Sequence, residues 1–185
     1  MKDFLEKCEE AARVLHQADD IIVFGHRDAD GICAAMLAKL GMGDKNVSVR
    51  IIRHGMHISD MAAAAAGKLA LFVDYGSSEI PSITRHMEHF LILDHHPSRE
   101  THPLMVNPWD YGIDGTRELS GAGVTYLVMR AYDSRNTRLA PLAIVGAMGD
   151  KQYLSSFSGP NALLIEDASA SGLSTGAPDE HLMVS

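Results

Sequence analysis

Three short runs limit the architectures open to this chain: "IIVF" at 21–24, "LALFV" at 69–73 and "FLIL" at 90–93 are apolar without interruption. A strand with one face in water alternates apolar and polar residues, so unbroken runs of this length mark strands covered on both sides. Segments of helical periodicity separate them. "KDFLEKCEEAARVLHQ" lines up Phe4, Leu5, Cys8, Ala11, Ala12 and Leu15, and "ICAAMLAKLG" is small and apolar up to Gly41. "SDMAAAAAG" opens on a Ser59 or Asp60 cap, and "SEIPSITRHM" tolerates Pro81 in a first turn. "VSVRII" at 47–52 alternates like a strand, "LMV" after Pro103 suggests a short one, and helices are expected at 120–132, 139–148 and 160–171. The predicted fold class is α/β, a mostly parallel sheet with helices on both faces. Residues 1–172 are expected to form one domain, and the Gly-, Ser- and Pro-rich stretch 173–185 a linker or tail.

Composition narrows the function classes. No apolar run reaches the length of a membrane span, and the first residues, "MKDFLEKCEE", are charged where a signal peptide is apolar, so a cytoplasmic protein without membrane contact is expected. Cys8 and Cys33 lack the paired spacing of a disulfide framework or a zinc site. A net charge of −8 argues against a broad basic surface for nucleic acid. It leaves a nucleic-acid substrate open, because carboxylates that hold divalent cations lower the formal charge yet attract phosphate once loaded.

In an open parallel sheet, ligands bind outside the carboxyl ends of the strands. There "IIVF" is followed by "GHRDADG", which supplies His26, Asp28 and Asp30; "LALFV" runs into Asp74; "FLIL" runs into Asp94, His95 and His96; and "LAIVGAMGD" ends on Asp150. One Asp after a strand is ordinary turn or cap chemistry. Four segments delivering Asp or His to one edge call for another cause. Uncompensated carboxylates at close quarters raise one another's pKa, and bound cations relieve them. The mixed carboxylate and imidazole donors suit manganese, with magnesium, cobalt and zinc open to the same ligands, while the lack of cysteine argues against structural zinc. The donors suffice for two divalent ions, which at a separation of about 3.5–4 Å can share a carboxylate and activate water against phosphorus. Hydrolysis of a phosphoester or phosphoanhydride follows as the reaction class.

Other residues carry less. Ser120, Gly121 and Gly123 precede a helix, so their amides suit a substrate phosphate, or simply a capped helix packed through glycine. Arg27, His54, His57, Arg99 and Arg117 suit either a phosphate backbone or solvent. Trp109 reads as packing rather than base stacking, and Tyr111 shares its loop.

"HRDADG", "VDYGS", "DHH" and "GAMGD", in this order, resemble the motifs of the DHH phosphoesterase superfamily. Its members include RecJ exonucleases, nano-RNases, cyclic-dinucleotide phosphodiesterases and family II pyrophosphatases. "ELSGAGVTYLVMRA" and "APLAIVGAMGDKQ" most resemble the archaeal RecJ-like branch, single-strand nucleases of which some work with replication proteins. The resemblance implies a metal-dependent phosphodiesterase acting on single-stranded DNA or RNA, with replication or repair proteins as further partners. It assigns His26 and Asp28 to one metal, Asp30, His95 and Asp150 to the other, and Asp74 to the bridge. His96 would face the substrate as a catalytic group, with Asp94 orienting the histidines. The alternatives are a hydrolase of short oligonucleotides or cyclic dinucleotides, and a replication partner without activity. Pyrophosphatases differ in the longer gap of their first motif. The glycine-rich, substrate-clamping C-terminal domain of such enzymes has no counterpart after Asp150, so it is expected to be absent from this chain.

Overall fold

A computed structural model describes residues 1–172 of the chain, and the expected tail at 173–185 lies outside the described residues. Helix α1 (Lys2–Gln17) precedes β1 (Asp20–Gly25), α2 (Ala29–Gly41), β2 (Asn46–Ile51), α3 (Ile58–Ala64), β3 (Leu69–Val73), α4 (Ile80–His86), β4 (Phe90–Leu93) and β5 (Met105–Val106). Three further helices follow, α5 (Gly121–Tyr132), α6 (Ala140–Gly149) and α7 (Asn161–Ala170). All strand pairs are parallel, in the order β2-β1-β3-β4-β5.

The apolar runs supply both cores by simple alternation. Ile21, Val23, Leu71, Val73, Leu91, Leu93 and Val106 point into a core shared with α1, α2, α5 and α6. Ile22, Phe24, Ala70, Phe72, Phe90, Ile92 and Met105 point the other way, onto α3 and α4. The predicted class is therefore the observed one. Among the described residues, no helix is long and apolar enough to cross a membrane.

The cap of α3 differs from expectation. His57, not Ser59 or Asp60, is the N-cap, and Asp60 closes a capping box by accepting the His57 amide at 3.1 Å. Histidine is an unusual cap, which hid the boundary by two residues. Helix α2 likewise starts earlier than its apolar stretch, at Ala29, because the Asp28 carboxylate accepts the Gly31 amide at 3.0 Å.

The order 2-1-3-4-5 has a consequence for function. The chain leaves β1 toward β2 on one side and returns past it to β3, so the helices after β1 and β3 lie on opposite faces. The carboxyl ends of these two strands form the topological switch point where such sheets bind ligands.

Candidate metal centre

Sheet hydrogen bonds continue one residue beyond the strands and set the site in register. The His26 amide donates to the Val73 carbonyl at 3.4 Å, Asp74 to Leu93 at 2.9 Å, and Asp94 to Val106 at 3.1 Å. Asp74 then departs from β geometry with φ +53°. A left-handed conformation is costly for a residue with a Cβ. Here it turns the carboxylate toward the start of α5, where Gly121 leaves room: a Cβ on Gly121 would lie 2.6 Å from the Asp74 Cβ.

Three overlapping groups of donor atoms result, each within 4.8 Å: His26, Asp28 and Asp74; Asp30, His95 and Asp150; and Asp74, Asp94, His95 and His96. His26 Nδ1 lies 2.8 Å from Asp28 Oδ2 and 3.6 Å from Asp74 Oδ2. His95 Nε2 faces Asp74, Asp150 and Asp30 at 3.1, 3.2 and 3.7 Å. Asp150 arrives at the end of α6 and completes the second group.

His95 is oriented from behind. Its Nδ1 donates to the Gly115 carbonyl at 2.7 Å, an acceptor only, so Nδ1 carries a proton and Nε2 is the atom presented to the carboxylates. Its own carbonyl accepts the Trp109 indole N–H at 2.8 Å. That contact gives Trp109 a bracing role, although the residue remains 38% exposed.

Asp94 lies beneath the histidines. Its Oδ1 accepts the His95 amide at 2.8 Å, the His96 amide at 3.3 Å and His96 Nδ1 at 2.8 Å, while Oδ2 accepts the Ser77 amide at 2.8 Å. Asn107 ties the same turn together, donating to Ser77 Oγ and the His96 carbonyl, each at 2.9 Å. Asn107 carries no sequence signal of this role, and Ser77 only its place at the end of the "VDYGS" run.

Asp30 is held by the start of α5. Ser120 Oγ donates to it at 2.7 Å, and the Gly121 and Ala122 amides at 2.7 and 3.0 Å. This corrects the expectation that Ser120, Gly121 and Gly123 receive a substrate phosphate. All three are buried, and the Gly123 amide donates to Ser120 Oγ at 3.2 Å. The attraction of a helix N-terminus for an anion is present, but the anion is the side chain of Asp30. Arg27 is exposed beside the His26 and Asp28 group.

The electrostatics separate the carboxylates. Burial pushes Asp74 up to about 8, with His95 opposing and the Asp30 charge adding. Burial also raises Asp30 to about 6, against His95 and with Asp150 adding. Asp150 is raised by burial and the Asp28 charge despite His95. Burial acts the same way on Asp94, but His96 and the Ser77 amide outweigh it and hold the carboxyl at about 2. Burial disfavours the His95 cation, yet the Asp74 and Asp30 carboxylates raise its pKa to about 10.

One observation tests whether these residues fit a cation. Asp74 is only 1% exposed, and no backbone amide or hydroxyl satisfies its oxygens; its polar neighbours are the imidazoles, His95 Nε2 at 3.1 Å and His26 Nδ1 at 3.6 Å. A carboxylate desolvated in this way is costly unless a cation meets it. His26, Asp28, Asp30, His95 and Asp150 surround it with the oxygen and nitrogen donors of a divalent-metal site.

Comparison with known proteins agrees with this geometry. The chain is 32% identical to the uncharacterized protein MJ0831 of Methanocaldococcus jannaschii over 181 residues, covering 89% of this chain and 40% of that one. Among solved structures it is similar to exonuclease RecJ bound to manganese (TM-score 0.68, 25% identity, covering 90% of this chain and 47% of that one). It is also similar to RecJ in complex with Mn2+ from Thermus thermophilus (TM-score 0.70, 26% identity, covering 89% and 26%). The chain thus spans less than half the length of each of these proteins. The family model for the DHH family N-terminal domain matches residues 20–148, from the first strand to the end of α6, and the chain belongs to the DHH family, with a RecJ-like α/β fold.

Proposed function

We propose that this chain hydrolyses phosphodiester bonds of single-stranded nucleic acid with two divalent cations, manganese foremost and magnesium as the alternative. The buried carboxylate of Asp74, satisfied by no backbone amide or hydroxyl and set between two groups of His and Asp donors, carries this reading. The similarity to manganese-bound RecJ supports both the metal and the substrate class. His26 and Asp28 would hold one cation and Asp30, His95 and Asp150 the other, with Asp74 within reach of both groups. Bound cations supply positive charge against the oxygens of phosphorus and make water a competent nucleophile at neutral pH.

The remaining steps belong to side chains. His96 is half exposed, and its Nδ1 is held by Asp94, which leaves Nε2 for the substrate. The Asp94 contact also raises the His96 pKa, which favours a proton on Nε2 facing a phosphoryl or leaving-group oxygen. A cavity of about 510 Å³ beside Asp150 is lined by Arg117, Lys151, Thr116 and Leu154, and offers two cations to the phosphates next to the scissile one. Arg27 serves the same purpose from the opposite group.

The test is turnover by purified protein with manganese, offered labelled single-stranded DNA, single-stranded RNA, dinucleotides, cyclic dinucleotides and pyrophosphate. Degradation of single strands beyond a dinucleotide is expected. Turnover confined to dinucleotides or cyclic dinucleotides would replace the substrate class, and no turnover with no metal binding would overturn the enzyme reading.

A further inference from the structure

His95 is held through a polar chain that begins outside the metal centre. The Gly115 carbonyl that accepts His95 Nδ1 also accepts Gln152 Nε2 at 2.9 Å, and Gln152 Oε1 accepts Asn161 Nδ2 at 2.7 Å. Gln152 is 1% exposed and Asn161 is fully buried. We propose that Gln152, fixed in turn by Asn161, is the positioning residue that sets the proton and the aim of the His95 imidazole, acting through the Gly115 carbonyl. The proposal rests on the metal-centre reading and extends it to residues that touch neither substrate nor metal.

The direction of the chain follows from its end. A carbonyl only accepts, so Gln152 must turn its NH2 to Gly115 and its oxygen to Asn161, and His95 must keep its proton on Nδ1. No flipped arrangement of the two amides satisfies the same contacts. Gly115 lies in the irregular segment between the 3-10 turn at Pro108–Tyr111 and α5, with no ladder to hold its carbonyl. It also comes very close to the residue it supports: a Cβ on Gly115 would lie 2.2 Å from the His95 carbonyl oxygen. Gln152 therefore fixes an otherwise unsupported acceptor from the opposite side. It stands two residues after Asp150, so one segment brings both a candidate ligand and the brace of another.

Groups that orient a metal-binding histidine typically change metal affinity about 10- to 100-fold when removed. Gln152→Met keeps the length of the side chain and removes both hydrogen bonds. Calorimetric titration of the purified 185-residue chain with manganese alone is expected to show wild-type binding and a loss of about 10- to 100-fold in the variant. Nitrogen-15 spectra of the metal-free protein should show the His95 Nδ1 proton hydrogen-bonded and slow to exchange in the wild type, with its exchange quickening in the variant. Tyr126→Phe, which removes a buried hydroxyl bonded to Asp167 at 2.6 Å, controls for lost stability and should leave manganese binding unchanged. Should Gln152→Met not fold, Gln152→Asn, too short to span Gly115 and Asn161, carries the same expectation. Manganese affinity within twofold of the wild type and an unchanged His95 spectrum would overturn the proposal. Failure of the wild type to bind manganese would instead overturn the metal-centre reading.

Discussion

Asp74 and Asp94 follow neighbouring parallel strands, each is 1% exposed, and each backbone amide continues the sheet ladder. Their surroundings are opposite. Asp94 accepts three amides and an imidazole N–H, and its pKa is held at about 2. Asp74 receives no backbone amide or hydroxyl, only the facing His95 imidazole at 3.1 Å, adopts a left-handed backbone, and is pushed up to about 8 by burial. Burial alone therefore does not distinguish a structural carboxylate from a functional one; the count of donors does. Asp94 is satisfied by the fold itself, whereas Asp74 is left facing imidazole rings, buried and short of donors, in the setting that suits a cation ligand.

The largest effect that would break this contrast is on folding. Asp94→Ala leaves three amides and His96 unpartnered, and should destabilise the metal-free protein by about 3–5 kcal/mol in chemical denaturation. A neutral result would remove Asp94 from its structural role. Asp74→Asn should do the reverse, leaving metal-free stability at pH 8 equal or higher while manganese affinity falls at least about 100-fold. Gly121→Ala adds a Cβ within 2.9 Å of the Asp74 Cα, which is backbone and cannot rotate away. It should cost about 1–3 kcal/mol and weaken manganese binding with it. Ser120→Ala removes both the cap of α5 and a donor to Asp30, for about 1–2 kcal/mol by thermal melting.

The gentlest probe is pH. Folded Asp74 keeps its proton to about 8, far above its ordinary value of 3.8, so the folded state binds the extra proton and metal-free stability falls as pH rises across that window. Asp94 has the opposite sign: its contribution is present above 3.8 and is lost as pH falls toward 2. Denaturation in chelator at a series of pH values should show both limbs, with Asp74→Asn making only the upper one shallower, since the raised Asp30 and His95 contribute to that limb as well. Metal binding must displace the Asp74 proton, so manganese affinity should rise with pH and binding should release protons to the buffer.

What the sequence disclosed and what it hid divide along chain distance. The runs at 69–73 and 90–93 coincide with β3 and β4 because a doubly covered strand must be apolar at every position. The strand-end positions of Asp74, Asp94 and His95 were legible because they are local to those runs, and the sheet order then brings them together. The groups that hold them were not. Ser120 meets Asp30 across 90 residues, and Gln152 meets Gly115 across 37, through neutral side chains that leave no periodic trace. The helix N-terminus at 120–123 was recognisable as an anion site, but only the tertiary structure shows that Asp30 fills it.

The most direct measurement is calorimetric titration of manganese into metal-free wild type, Asp74→Asn and Asp150→Asn side by side at one pH. If Asp74 is shared by the two groups of donors, the wild type binds manganese, Asp74→Asn loses at least about 100-fold, and Asp150→Asn, altered in one group only, loses less. Equal manganese affinity in the wild type and Asp74→Asn would contradict that shared role.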